Sequence, residues 1–580
     1  MVGKEVPPSA EVLRPGGAPG DDLPPGEPAP LPAPPGVPPD EASGRAFVRH
    51  SAVMSVGTAL SRLTGFLRVA AMAYALGVTE SRLADAYNVA NTTPNIVYEL
   101  ALGGILSSVF VPVFVEWLET KGRDQAWHTA RAVLTFAVVV LSAVMVAGIV
   151  GSSLIIRLYT FRVPAGPERD AARAFASFAL RWFMPQIVFY GVGAVATGLL
   201  NAHRRFAVPM FAPILNNLLV TGTFFLFAAL PGPRTPAPST ITDLQRYVLV
   251  LGTTLGVVGM TVALWPSLRR IGFRWRWRLD LADPGFRRIG RLAGWVFLYV
   301  AVNQIGYLVV IVLAAQVQGG YTAYTSAFIF FQLPHAIFAV SIMTALLPSL
   351  SSRWANRDPA EFRSLLSQGI RATAFIVVPA AFGYIALATP IVRLLLQHGV
   401  TRSQSTELLS HVLVLFSVGL FSFSSFQLLL RAFYAMQNTK TPAMINVVAV
   451  AINVVVDVVL FRYLRVEGLA LGHATAYTFA SVTAAVIISR RVGGFDIRQL
   501  AGALGKILLG GLATGAAALL VSRSIGATLG TASLGPQTLQ VVAGVAAGAA
   551  AFLAVATAFR MPELAMVRDL ARSTWTRRSR

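Results

Sequence analysis

Residues 61–95 read SRLTGFLRVAAMAYALGVTESRLADAYNVANTTPN. The stretch is apolar enough to span a membrane. Yet it carries Arg62 and Arg68 before a turn near Gly77 and Asp85 after it, and Glu99 follows just downstream. A charge at the bilayer centre costs about 2.5–3.5 kcal/mol, so such groups face a water-filled cavity or a partner. With a first helix starting at about residue 47 and rising about 1.5 Å per residue, Arg62 lies near mid-membrane and Arg68 about 9 Å further along. Six residues at about 100° each set the two roughly 120° apart, so they need not share a partner. Asp85 and Arg68 are about equally far from the turn. A hairpin would pair them, either as a packing ion pair at the rim or as part of a cavity. Pro94 and Asn95 belong to TTPN, where a proline breaks the helix and frees carbonyls beside Glu99. Broken helices with charged neighbours build polar sites in membrane proteins; a kink that serves only packing is the alternative.

Composition agrees with a membrane protein. The chain has 580 residues, 55% hydrophobic and 13% charged, with a mean hydropathy of +0.63. Soluble domains carry about 25% charged residues. Apolar runs such as Ala132–Ile156, Tyr247–Leu268 and Ala443–Leu460 reach the roughly 20 residues a bilayer requires, without the alternation of barrel strands. Run lengths and the breaks between them predict an all-α polytopic membrane protein of about fourteen transmembrane helices. The net charge of +22 suits basic cytoplasmic loops rather than nucleic acid. Loops around Lys121, Arg204, Arg269–Arg291, Arg353, Lys440 and Arg490 share one side with the basic C-terminal tail. The positive-inside rule makes that side cytoplasmic and puts both termini there. RLYTFRVPAGPERDAAR (157–173) is a basic exception on the external side. With no cysteine, disulfides, cysteine metal sites and thiol nucleophiles are excluded. Residues 1–44 are Pro/Gly-rich (GEPAPLPAPPGVPP). They predict a disordered tail rather than a signal peptide, either inert or partner-binding.

The chain also repeats itself. ADAYNVANTTPN (84–95) matches YTSAFIFFQLPH (324–335), and each precedes an apolar run with a proline near its end, FVPVFVEW or LLPSLSSRW. GLLNAHRRFAVPMF (198–211) matches LRAFYAMQNTKTPAMI (430–445). Pro94 and Pro334 stand 240 positions apart, Pro209 and Pro442 233 apart. The common offset predicts two pseudo-symmetric six-helix lobes, 45–268 and 289–490, with a basic linker at 269–288. Two C-terminal helices at 491–560 and a basic tail at 561–580 follow. Paired bundles around a central cavity are a transporter architecture, with sites at the repeat interface. Two arginines in such a cavity suit an anionic substrate, since guanidinium matches phosphate bidentately.

The sequence resembles the MurJ/MviN family, the lipid II flippases of peptidoglycan synthesis in the MOP exporter superfamily. The resemblance is carried by SRLTGFLR, ADAYNVANTTPNIVYELALGG and FVPVF, then LLNAHRRFAVPMFAPILNN (199–217), LPHAIFAVSIMTALLPSLS (333–351) and FYAMQNTKTP (433–442). It implies a bacterial inner-membrane location and two lobes plus two helices. It further implies alternating access, with lipid II taken from the cytoplasmic leaflet and released at the outer one. Arg62, Arg68 and Asp85 would be cavity residues. The chain departs from the family pattern at Tyr98, Gly103 and Ile329, where the family commonly carries an Arg, an acid and an Arg. Asn453 and Asp457 share a face of the eleventh helix, and their oxygens suit a hard cation. Some family members bind sodium at such a pair, which implies help here from Asn303 and Thr475. An Asp hydrogen-bonded to an Asn, or protonated, is the alternative, so sodium, proton or membrane potential stays open as the driving force.

Other signals are weaker. The histidines, among them His203, His335 and His473, have no metal-site spacing. RWRWRLD (274–280) reads as an interfacial helix on anionic membrane lipid rather than a nucleic-acid motif. Arg181 and Arg431 are further candidate cavity charges. No P-loop and no acid–nucleophile set is present, so the expectation is a transporter and not an enzyme. Three functions stay open on sequence alone. One is a lipid II flippase, and another is an exporter of another polyprenyl-pyrophosphate sugar or a drug. The third is a scaffold that binds cell-wall or division proteins through its tails.

Overall fold

The computed structural model describes residues 41–100, 111–280 and 283–565. Gly103 and most of both expected tails lie outside them. The chain divides into two units, residues 1–44 and 45–580. Every described element of the second unit is helical.

The first half comprises α1 (Glu41–Leu76), α2 (Leu83–Tyr98), α3 (Val111–Thr120), α4 (Arg123–Val150), α5 (Ser152–Tyr159), α6 (Pro167–Phe183), α7 (Gln186–Ala202), α8 (Ala207–Ala229), α9 (Asp243–Val262) and α10 (Trp265–Arg270). The second comprises α11 (Pro284–Ala314), α12 (Gly320–Pro334), α13 (Val340–Ala355), α14 (Pro359–Leu396), α15 (Ser403–Val418), α16 (Leu420–Ala435) and α17 (Lys440–Arg491). α18 (Ile497–Leu529) and α19 (Leu534–Ala558) close the chain. Side chains cap these helices where the sequence supplies acceptors. Thr242 and Gln245 form a capping box on α9, and Asp283, Asp358 and Asp496 cap α11, α14 and α18. Each occupies backbone N–H groups that the helix itself leaves unpaired.

Among the described residues, nine helices are long and apolar enough to cross a membrane, and the bent pair α15–α16 makes a tenth. α17 is counted once there. It reverses at Arg465 (φ 52°, ψ −128°), which packs Gly468 against Leu460 and Gly472 against Asp457, so it provides two passes of the expected fourteen. α1, α2 with α3, and α11 stand at the first, second and seventh places. Most spans bury only a minority of their apolar window, 22% in α19 and 28% in α4. The rest is exposed, as lipid-facing helices require, since lipid tails are as apolar as the side chains they meet.

The second helices of the two halves end alike. Proline does not break either second helix. α2 runs through Pro94 to Tyr98 and then widens to π winding at Glu99 and Leu100, and α12 runs to Pro334 before a π turn at His335–Ala339. The expected break at TTPN is therefore a locally widened turn beyond the proline. A proline's missing N–H is absorbed more cheaply by one wide turn than by unpaired carbonyls in lipid.

The linker also differs from expectation. Residues 273–280 form an irregular loop, not a helix. They lie along α4: Arg131 Nε donates to the Arg274 carbonyl at 3.0 Å, and the Arg278 N–H donates to Thr135 Oγ1 at 3.2 Å. Residue-by-residue alternation of Arg with aromatic or aliphatic side chains is a period of two, which does not suit a helix.

Candidate functional site

The lobes meet through a seam at one end of the molecule, where α1 ends and α2 begins. Asp85 is buried, and both carboxylate oxygens are taken by the other lobe. Oδ2 accepts from the Gly319 N–H at 2.8 Å; Oδ1 accepts from the Thr322 N–H at 2.9 Å and its hydroxyl at 2.7 Å. Asp85 thus caps α12 across the lobe boundary, where the positive end of the helix dipole favours a carboxylate. The expected pairing with Arg68 is not formed. Arg82, one turn earlier, is the nearby cation, and its Nη1 donates to the Ala315 carbonyl at 3.1 Å. Gly319 (φ +73°) makes this approach possible, since a Cβ there would run into Val78 and Thr79 of the first lobe.

The seam extends on both sides. Asn88 Nδ2 donates to Thr322 Oγ1 at 3.0 Å, and the hydroxyls of Thr92, Tyr321 and Tyr307 form a chain at 2.6 and 2.7 Å. On the other flank, Glu80 accepts from the Arg402 N–H at 2.6 Å and from the Ser405 hydroxyl at 2.9 Å. Thr79 Oγ1 lies 2.8 Å from Ser405 Oγ, the Val400 N–H donates to Tyr74 O at 3.0 Å, and Gln318 Nε2 donates to Thr79 O at 2.8 Å. None of Glu80, Asn88, Thr322 or Tyr321 was singled out by sequence. The available signal was QGGY, the glycine pair that opens α12.

Arg62 and Arg68 lie deeper. Arg62 is exposed, and it is close enough to His335 of the second lobe to act on it electrostatically. His335 Nδ1 is 3.0 Å from Ser424 Oγ. Phe66, one turn beyond Arg62, meets Phe330 edge-on at 5.0 Å, so this face of α1 looks across to the other lobe. Arg68 is half-buried beside Tyr87 and Tyr190. Among the described residues neither guanidinium forms a hydrogen bond or ion pair. Tyr98 rests against Tyr190 with centroids 5.0 Å apart, so an aromatic pair stands where the family commonly places a cation. Ile329 packs half-buried against the core. Glu99 is exposed and pairs with neither arginine, and Asn95 Nδ2 donates to the Asn91 carbonyl at 2.8 Å. Arg181 is tied by Nε to Ser152 Oγ at 3.0 Å, beside the start of α5 and away from these residues.

In the second lobe, Asp457 is fully buried. Asn453 Nδ2 donates to its Oδ1 at 3.0 Å, whereas Oδ2 is buried with no hydrogen-bond partner. Thr475 is no part of this pair: it is exposed, and its hydroxyl donates to the Leu471 carbonyl at 2.9 Å. Asn303 sits half-buried on α11. Among the described residues no cluster of three His, Asp or Glu side chains could hold a metal ion.

The sequence model of the family described as "Lipid II flippase MurJ" matches residues 72–538. A lipid II flippase MurJ of Burkholderia cenocepacia is 29% identical over 423 residues, which cover 72% of this chain and 77% of that one. A probable lipid II flippase MurJ of Rhizobium meliloti is 27% identical over 456 residues, covering 78% and 83%. Among solved structures, a lipid II flippase MurJ in an inward closed conformation superimposes with a TM-score of 0.70 at 21% identity, over 90% of this chain and all of that one. An inward-facing multidrug resistance MATE family transporter of the MOP superfamily gives 0.60 at 14% identity, over 76% and 98%.

Proposed function

The chain belongs to the family of lipid II flippases called MurJ, and from that premise we propose that it moves lipid II across the membrane by opening and closing its two lobes in turn. The arginine-rich linker end faces the cytoplasm, as the positive-inside rule requires, which puts the seam at the outer end and both termini inside. With the seam closed, lipid II enters from the cytoplasmic leaflet. Its diphosphate meets the guanidiniums of Arg62 and Arg68, whose donor forks match phosphate oxygens, and its polyprenyl tail stays in lipid. Parting of the seam then releases the head group outward.

The observation that carries this reading is the placement of two guanidiniums, without protein partners among the described residues, behind the polar seam at the Asp85 end; at the linker end Arg288 of α11 meets Glu116 of α3 at 2.8 Å. The test is complementation in cells depleted of their own lipid II flippase, with lipid II exposed on the outer leaflet as readout. Wild type is expected to restore exposure, and Arg62→Ala and Arg68→Ala at matched membrane levels are expected to fail. Tyr98 and Ile329 leave the cavity less basic than the family pattern. If inserted wild type does not rescue, another polyprenyl-diphosphate substrate takes the lead.

For the driving force, we propose that Asp457 and Asn453 take up a monovalent cation. The orphan Oδ2 of Asp457 favours this, because a buried carboxylate oxygen without a donor is costly. Asn453 Nδ2 already serves Oδ1, so uptake falls on the unpartnered Oδ2. Bound charge there would neutralise the carboxylate. Asp457→Asn is expected to abolish any stimulation of lipid II exposure by sodium. If stimulation persists in that variant, the cation binds elsewhere.

A further inference from the structure

The linker carries a motif that transport does not use. Its irregular part runs along α4 and returns. Phe273 is buried against Trp127 near the start of α4, with ring centroids 5.4 Å apart. By Arg278 the chain has climbed to Thr135, twelve residues into that helix, about 18 Å along its axis. It then falls back. Asp280 reaches His128 at 2.9 Å, and Asp283 accepts from Thr129 Oγ1 at 3.0 Å and from Gln125 Nε2 at 3.2 Å.

The tip of this loop stands at the edge of the apolar surface. Trp277 is 67% exposed and Leu279 57% exposed. Beside them, α4 turns Phe136, Val139 and Val140 outward. Trp277 rests on Trp275, centroids 5.1 Å apart, which holds the indole at the tip. Arg274, Arg276 and Arg278 occupy the alternate positions, all exposed. Apolar side chains at lipid depth with guanidiniums beside them fit an interface whose headgroups are negatively charged. Neither water nor a neutral headgroup matches both features.

We propose that the loop Phe273–Asp280 is a binding site for anionic phospholipid, in which Trp277 and Leu279 enter the acyl boundary and Arg274, Arg276 and Arg278 hold the phosphates. The loop is fastened to α4 of the first lobe and leads directly into α11 of the second, so the lipid is held at the joint between the lobes. The site does not rest on the proposed substrate, and its test involves no transport.

The experiment places the full chain in nanodiscs made with brominated phosphatidylglycerol or brominated phosphatidylcholine, and compares tryptophan emission of wild type and Trp277→Phe. The difference isolates Trp277. It is expected to be quenched in both lipids and more strongly in phosphatidylglycerol. In mixed discs, Arg274→Gln/Arg276→Gln/Arg278→Gln is expected to remove that preference, since each arginine near an anionic surface contributes roughly a fivefold preference. High salt is expected to weaken it too. If Trp277→Phe and wild type are quenched alike, the tip is outside the membrane and the proposal falls. Equal quenching by the two lipids, unchanged in the triple variant, would also overturn it, because the site would then be apolar only.

Discussion

At the scale of single residues, Asp85 illustrates how a charge can look like a binding group and serve as a latch. Its carboxylate takes three hydrogen bonds from the opposite lobe. Hydrogen bonds to a charged group are worth about 1.5–3 kcal/mol. Asp85→Asn keeps the shape and loses the charge, and its amide cannot accept at both oxygens. The closed seam is therefore expected to lose at least a tenfold share of its population. The chain has no native cysteine, so spin labels at Arg162→Cys and Tyr463→Cys report only those sites on exposed outer segments of each lobe. Pulsed electron-spin distances between them are expected to lengthen in Asp85→Asn; an unchanged distribution would show that the latch does not hold the seam. Gly319→Ala tests the same contact from the other side. Its left-handed backbone costs an alanine about 1–2 kcal/mol, and the new Cβ meets Val78 and Thr79, so a similar opening is expected.

At the scale of elements, what the sequence disclosed depended on the range of the interaction. Helix existence was legible because apolar run length is a local property, and the reversal in α17 fell between the expected eleventh and twelfth helices. The mid-membrane arginines were legible from their cost in lipid. The partner of Asp85 was not, because Thr322 lies 237 positions away and only the meeting of the lobes brings them together. The linker reads as a helix in sequence although its alternation has period two, because basic–aromatic loops are commonly interfacial helices. The C-terminal hairpin shows a third case. Gly510 faces Phe552, and Gly544 faces Leu387, which lets α18, α19 and α14 pack closely, as small residues do in membranes. Arg371 of α14 then meets Glu563, just past α19, at 3.6 Å, with side chains 17% and 6% exposed. Removing one member of a buried pair costs about 3–5 kcal/mol. Arg371→Met is therefore expected to lower the thermal midpoint of the purified protein, and Arg371→Met with Glu563→Leu to recover most of the loss. Equal losses in single and double variants would show that the pair does not hold the hairpin.

At the scale of the whole molecule, two lobes built on one repeat are joined by few irreplaceable contacts, which is what an alternating machine requires. A seam of hydrogen bonds closes firmly while its donors are paired and opens at modest cost because water satisfies the same groups once they part. The residues that form it come from 73–92 on one side and 315–322 and 400–405 on the other, so its opening separates helix ends and the loops between them from both halves. Thr79 and Ser405 allow this to be tested directly. Their hydroxyl oxygens are 2.8 Å apart across the seam, so cysteines in their places bring two sulfurs face to face. In Thr79→Cys/Ser405→Cys, oxidation is expected to lock the seam and stop lipid II from reaching the outer leaflet. A thiol reductant is expected to restore it, and each single variant is expected to be indifferent to either treatment. If the oxidised, fully cross-linked protein still exposed lipid II, the substrate would have to leave by a route that never parts the lobes at this end. The seam would then be a fixed joint, and the cavity behind it would open on one side only.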